Sequence, residues 1–319
     1  MTIQLLILVC GLLLILFGAN FLVEGSSDVA RRYGISEFVI GLTIVGIGTS
    51  TPEMVVSFLS SFRGNSDMAV GNIVGSNIFN TLLILGITAV IAPLTITKGN
   101  LRRDIPMNII VTALLVLLGM KGSIFGFGEN SLNRLDGAIL LALFAWYLYS
   151  SFRHGKSSEE DSGEAAKPRA LWISIALIAA GLAALIFGGR IFVSAASELA
   201  RLFGVSDKFI AITVMAGGTS LPELATCIVA AAKGKGQLAL GNILGSNISN
   251  ILLILGGSAL IRPLSFSGMS MVDLGVLAGA SLFILLCAYT FRKKELDRAE
   301  GAILFIAEIG YMWYLIAQL

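Results

Sequence analysis

The sequence predicts an all-α polytopic membrane protein, with ten transmembrane helices arranged as two inverted-topology repeats of five. Three observations lead there. Of 319 residues, 56% are hydrophobic and 13% charged, with a mean hydropathy of +0.88, whereas soluble domains carry about 25% charged residues. The apolar residues gather into runs of the length, about 20 residues at 1.5 Å each, that a helix needs to cross the hydrocarbon. Finally, the chain repeats itself: residues 17–94 laid on 187–264 at a constant offset of 170 need no gap and agree at 34 of 78 positions.

Taken in order, the first segment, near 3–24, is an unbroken apolar run. It has no basic region or small-residue cleavage site ahead of it and is expected to be retained rather than removed as a signal peptide. The second, 36–62, contains GTSTPE, and the third, 68–92, contains GNIVGSNIFNTLLILG. The fourth, 105–120, and fifth, 133–151, are apolar without such motifs and close a first unit at 1–152. Residues 153–170, mixed in charge and rich in Ser and Gly, are expected to be a flexible tether. The second unit, 171–319, follows the same order. Its sixth segment lies at 171–200, the seventh at 206–232 with GTSLPE, and the eighth at 238–261 with GNILGSNISNILLILG. The ninth lies at 270–291 and the tenth at 299–318.

Five is odd, so the second unit must enter the membrane from the opposite side. Basic residues test this, because they stay on the cytoplasmic side. Loops after odd-numbered segments hold 15 Lys and Arg residues, against 7 on the other side when Arg190 is included. Both termini are therefore expected outside the cytoplasm and the tether inside it. The net charge of +2 marks no nucleic-acid surface, and nothing in the chain points to an obligatory protein partner. Cys10, Cys227 and Cys287 lie in apolar segments without paired spacing and are expected to serve packing.

Inverted repeats with interrupted helices are the layout of secondary transporters, whose sites lie near mid-membrane between the halves. The interruptions here are Pro52 and Pro222. Each removes the helical donor of the carbonyl four residues back, at Gly48 and Gly218. Beside them stand Glu53 and Glu223, and an acid at the helix centre costs roughly 2.5–3.5 kcal/mol on insertion scales. A kink that only shapes packing, with each Glu protonated or paired to a base, is one reading. No Lys or Arg lies at membrane depth in the second, third, seventh or eighth segment, so a mobile cation is the better fit. The spacings Gly71/Gly75 and Gly241/Gly245 ordinarily mean close helix packing; small residues also let a backbone approach an ion. Ser76 and Asn80, like Ser246 and Asn250, share a helix face, while Asn77 sits about 100° away and either joins them or caps a break. Every candidate donor is oxygen, and the lone His154 lies at the tether. That disfavours Zn, Cu and Fe and favours Ca²⁺ or Na⁺. No cofactor is implied; the ions are cargo.

GTSTPE and GTSLPE, each followed by a GNIxGSN block, resemble the two alpha repeats of the sodium/calcium exchangers, within the cation/calcium antiporter superfamily and of prokaryotic type. The matching motifs span 43–86 and 213–256. The resemblance implies that Glu53 and Glu223 hold Ca²⁺ and share Na⁺ ligation, that Thr49 and Thr219 offer carbonyl oxygens to Ca²⁺, and that Ser50 and Ser220 lend hydroxyls to Na⁺. It likewise matches Ser76 and Ser246, with the carbonyls of Gly46 and Ala216, to outer and inner sodium positions, and Asn80 and Asn250 to a central one. It implies two long helices, the first and sixth, sliding past a stationary core. Potassium-dependent relatives usually carry Asp at the position of Asn250, so Asn implies potassium independence. The expected activity is electrogenic exchange of Na⁺ for Ca²⁺ at three to one by alternating access in a prokaryotic cytoplasmic membrane. A proton/Ca²⁺ antiporter on the same scaffold is the first alternative and a cation channel the second. An intramembrane enzyme is not expected, since His154 is remote and no metal-hydrolase histidines exist.

Overall fold

The computed structural model describes residues 2–126, 129–154, 169–205, 216–290 and 294–318. Most of the tether and the opening of the seventh segment, 206–215, lie outside the described residues, as do Lys156, Lys167, Lys208, Arg292 and Lys293 of the charge count. Helix is present in all ten expected segments. Among the described residues, six helices are individually long and apolar enough to cross a bilayer, and the bent pair of the second segment makes a seventh. The fourth (Ile105–Gly119) and ninth (Met271–Cys287) are shorter, and the described helix of the seventh, Leu221–Ala232, is shorter still.

The first and sixth segments, Thr2–Tyr33 and Leu171–Leu202, each run 32 residues, about 48 Å, and must tilt to fit a hydrocarbon layer of about 30 Å. They cross antiparallel along a seam of glycines spaced by seven: Gly11, Gly18 and Gly25 face Gly188, Gly181 and Ser174. A Cβ at Gly18 would stand 2.9 Å from the Gly181 carbonyl oxygen, and one at Gly25 2.7 Å from that of Ser174. Outward, both helices present large apolar side chains such as Phe17 and Phe187. Cys10 is exposed on this face, so the expectation that it packs inside is corrected: the helix is two-sided, and position 10 falls on its lipid side. Cys227 and Cys287 are buried.

The third and eighth segments form the centre. Every residue from Leu238 to Ser249 is buried, and Gly241 and Gly245 bring that helix against the backbone of Phe38 and Leu42 in the second segment. The packing reading of the GxxxG spacing therefore holds for Gly241 and Gly245 but is corrected for Gly71 and Gly75, where an added Cβ would meet only the Met269 side-chain tip at 3.6 Å and nothing within 4 Å, respectively. Both central helices loosen at the same place. Asn80–Ile84 and Asn250–Leu255 are π-helical turns, a distortion common at functional sites.

The two halves are tied by two antiparallel strand pairs. Leu94–Thr95, after the third segment, pairs with Glu295–Leu296, before the tenth, and Ser131–Leu132, before the fifth, pairs with Leu264–Ser265, after the eighth. Each pair joins loops that share a side in the ten-segment arrangement, one pair on the tether side and one opposite. The duplication also reaches past the region of constant offset. Tyr147 donates to Asp104 at 3.4 Å, and Tyr311 donates to Asp273 at 2.8 Å, pinning the fifth segment to the start of the fourth and the tenth to the start of the ninth.

Because the eighth segment touches the backbone of the second at Gly245, adding one methyl there is expected to cost about 1–3 kcal/mol by overpacking. Gly245→Ala should lower the unfolding temperature in detergent. Gly310→Ala, where a Cβ meets nothing within 4 Å, should leave it level or raise it slightly.

Candidate ion-binding site

At the first break the chain leaves helix at Ser50 (φ −77°, ψ 10°) and restarts at Thr51, with the two helices bent by 49°. At the second it leaves at Ser220 (φ −90°, ψ 7°) and restarts at Leu221. Proline in the first turn suits such a restart, where the missing N–H costs nothing. It also places Glu53 and Glu223 in the first turns of their helices, at the positive end of each dipole. Both glutamates are 1% exposed. The Gly48 carbonyl, expected to be bare, accepts from the Thr51 hydroxyl at 2.7 Å; the second break has Leu221 there and no hydroxyl to offer.

The halves meet by exchange of hydroxyls. Ser50 Oγ donates to Glu223 Oε1 and Ser220 Oγ donates to Glu53 Oε1, each at 3.0 Å. Below them the central asparagines interlock. Asn80 Nδ2 donates to Asn247 Oδ1 at 3.2 Å, and Asn250 Nδ2 donates to Asn77 Oδ1 at 2.9 Å. Asn77 Nδ2 donates in turn to the Asn247 carbonyl at 3.1 Å, and Asn247 Nδ2 to Thr81 Oγ1 at 2.9 Å. Asn77 is thus a bridging residue rather than a cap. Ser246 Oγ donates to the Gly46 carbonyl at 3.2 Å, and the Thr49 hydroxyl is shared between that carbonyl at 3.4 Å and Asn242 Oδ1 at 3.2 Å. Thr219, Ser76 and Ala216 are the matching positions of the other copy at the offset of 170, Ala216 heading the short helix Ala216–Gly218.

Of the buried side-chain oxygens with no hydrogen-bond partner among the described residues, four belong to these site residues: Glu53 Oε2, Glu223 Oε2, Asn80 Oδ1 and Asn250 Oδ1. They are two pairs related by the repeat. Buried acceptors are normally satisfied, and stranding one costs about 1–3 kcal/mol, more when it is charged. No ion pair among the described residues involves either glutamate. What the arrangement suits is a hard cation, drawn to anionic and amide oxygen. Sequence reasoning missed Asn72 and Asn242. Asn72 Nδ2 donates to the Glu53 carbonyl at 3.2 Å, and Asn242 fastens Thr49 to Cys227. The signal was present, since both fall in the repeated GNI and recur at the offset of 170.

The two sides of the site differ. On the tether side, Glu24 of the first segment meets Lys233 at 2.9 Å and Arg169 at 2.8 Å, and Asp28 meets Arg31 at 2.6 Å. Lys235 donates to Ser27, and Ser27 to Glu37. These bonds tie the end of the first segment to both halves. On the other side a cavity of about 420 Å³ runs along the sixth segment and is lined by Pro52, Gly218, Thr219 and Pro222 at the breaks.

A duplicated, inverted helical fold that brings polar helix breaks and unsatisfied oxygens to its centre defines a membrane transporter of cations. The family model described as sodium/calcium exchanger protein matches residues 3–153 and 173–317, and the chain belongs to that family of cation/Ca²⁺ antiporters. It is 32% identical, over 98% of both chains, to the sodium/calcium exchanger MaX1 of Methanosarcina acetivorans. It is 37% identical, over 97% of this chain and 96% of the other, to the inner membrane protein YrbG of Escherichia coli. Among solved structures it superposes on the sodium-calcium exchanger NCX_Mj, soaked with Na⁺ and Ca²⁺, with a TM-score of 0.81 at 31% identity. That match covers 97% of this chain and 98% of the other.

Asn247 orients Asn80, so Asn247→Leu frees that amide to rotate. Losing the bond to Asn80, about 1 kcal/mol, should weaken Na⁺ binding about fivefold, read as the Na⁺ needed to displace ⁴⁵Ca²⁺ from the purified protein, with secondary structure by circular dichroism unchanged.

Proposed function

We propose that this chain exchanges Na⁺ for Ca²⁺ by alternating access, three to one and therefore electrogenically, without potassium. The observation that carries the reading is the set of four buried acceptors on Glu53, Glu223, Asn80 and Asn250. Two carboxylates balance one Ca²⁺ or two Na⁺, and neutral oxygens can hold a third Na⁺. In this reading Glu53 and Glu223 grip Ca²⁺ with the carbonyls of Thr49 and Thr219. Ser50 and Ser220 turn their hydroxyl oxygens to Na⁺, while Ser246 with the Gly46 carbonyl and Ser76 with the Ala216 carbonyl hold the flanking Na⁺ positions. Asn80 and Asn250 give the central position its amide oxygens. Because Na⁺ and Ca²⁺ compete for the same carboxylates, only one cargo loads at a time. The empty site carries two uncompensated charges and resists closure, so movement in one direction is tied to the other.

The units 1–152 and 171–319 would act as the paired halves, joined by the tether at 153–170. The excess of basic residues in loops after odd-numbered segments supports a cytoplasmic tether and external termini in a prokaryotic inner membrane. The two polar breaks favour a carrier over a channel, because the site is shared between halves rather than laid along one pore.

Glu53→Gln and Glu223→Gln keep the size and remove the charge. Each should abolish Na⁺-dependent ⁴⁵Ca²⁺ flux in proteoliposomes while leaving expression and unfolding temperature near wild type; coupled flux surviving in either mutant would refute the assignment. With a protonophore present, an imposed Na⁺ gradient should still drive Ca²⁺ against its own gradient, a result that a proton-coupled exchanger cannot give. Asn250→Asp adds a third acid and should make flux sensitive to pH or potassium; unaltered ion dependence would remove Asn250 from the site.

A further inference from the structure

The two mouths of the pathway are flanked by the two copies of one duplicated helix, yet the copies differ in the charge they carry. At the offset of 170, Asn20, Glu24, Asp28 and Arg31 of the first segment match Arg190, Ser194, Glu198 and Arg201 of the sixth. The first set holds two acids and one base, a formal −1; the second holds one acid and two bases, a formal +1. Glu24 and Asp28 belong to the tether-side cluster, where Arg31, Arg169 and Lys233 pair with them. Arg190, Ser194, Glu198 and Arg201 all line the cavity on the opposite side.

Within that cavity Arg201 pairs with Glu198 at 3.0 Å. Arg190 is exposed and meets no carboxylate among the described residues. It sits twelve residues before Leu202, the end of its helix, which places it about 18 Å inward from that end. A guanidinium at such depth is costly in lipid and faces a wet cavity or a partner; here the cavity also reaches Thr219, Pro222 and Pro52 at the two breaks. A fixed positive charge therefore stands in the approach to a cation site, at a position where the other mouth has a neutral asparagine.

We propose that Arg190 is a valence filter in the outer vestibule. A fixed charge acts on an ion in proportion to the ion's own charge, so Arg190 opposes a divalent cation twice as strongly as a monovalent one. From outside, Na⁺ entry is hindered little and Ca²⁺ entry more, and Ca²⁺ leaving the site is driven out. The repeat gives the site its symmetry, and this substitution gives the outer face a valence preference of its own. The inference rests on the proposed Na⁺/Ca²⁺ exchange and on the proposed orientation.

The test is a charge series, Arg190→Lys, Arg190→Gln and Arg190→Glu, in sided membrane vesicles, with half-saturating external Ca²⁺ and Na⁺ measured for each. Arg190→Lys should match wild type. Removing one unit of charge in Arg190→Gln should lower the external half-saturation about fourfold for Ca²⁺ and about twofold for Na⁺, the square relation that valence imposes. Arg190→Glu should repeat both factors, and raising ionic strength with choline chloride should shrink them. Cytoplasmic half-saturation should not move. Ser194→Asp, one turn away with Arg190 intact, should imitate Arg190→Gln and serves if the arginine variants fail to insert. Equal factors for the two ions, Lys behaving like Gln, or unchanged external values with exchange intact would overturn the proposal. Wild-type vesicles lacking Na⁺-driven Ca²⁺ flux would instead sink the functional reading beneath it.

Discussion

Two buried carboxylates, one from each half of a duplicated chain and each bonded by the other half's serine, are the constraint that the rest of the molecule answers. Ser50 reaches Glu223 and Ser220 reaches Glu53, so neither half completes its own site. Each glutamate keeps one oxygen that the described protein does not satisfy. The helix breaks exist because an unbroken helix would hold its serine and glutamate on its own axis. Proline ends one helix and begins another just where a hydroxyl must cross to the opposite carboxylate. The π-turns at Asn80 and Asn250 re-aim the central amides for the same purpose, and Asn77 and Asn247 take up the amide N–H groups so that the oxygens remain for the site. The glycines of the eighth segment bring the second segment's backbone close enough for these short bonds to form.

Around this core the duplication is uneven, and the unevenness is informative. Site residues repeat almost without change, since an ion between the halves needs matched donors from both. Away from it the copies diverge. Thr51 caps the Gly48 carbonyl where Leu221 has no hydroxyl, and Asn20 stands opposite Arg190. The first segment's end is tied into an ionic cluster with Lys233 and Arg169, while the sixth lines an open cavity. The center is built for reciprocity and the rims for direction.

Much of this was legible in the sequence, for physical reasons. Long apolar runs have little alternative to spanning a bilayer, and an ungapped offset of 170 forces two like units. Proline with glutamate inside such a run is expensive enough to demand a function. Other features were not legible. Asn77 and Asn247 lie on a different helical face from Ser76 and Asn80, and only the π-turn and the crossing of the two helices bring them together. Asn72 and Asn242 looked like part of a packing motif until the eighth segment was seen lying against the second. The Tyr147–Asp104 and Tyr311–Asp273 pins fall outside the constant offset, where the repeats no longer align without gaps. The Gly48 carbonyl looked bare because a side-chain hydroxyl one turn away can replace a backbone donor, and sequence spacing does not reveal its rotamer. Cys10 shows the reverse error: residing in an apolar run does not settle which side of the helix a residue occupies.

The shared carboxylate site is tested most directly by the anomalous scattering of Sr²⁺ soaked into crystals of the protein, used as a heavy stand-in for Ca²⁺. The expected result is one strong peak bracketed by the carboxylates of Glu53 and Glu223, within bonding distance of both. Divalent density confined to other places at saturating Sr²⁺, with the two glutamates bonded directly to each other, would contradict it.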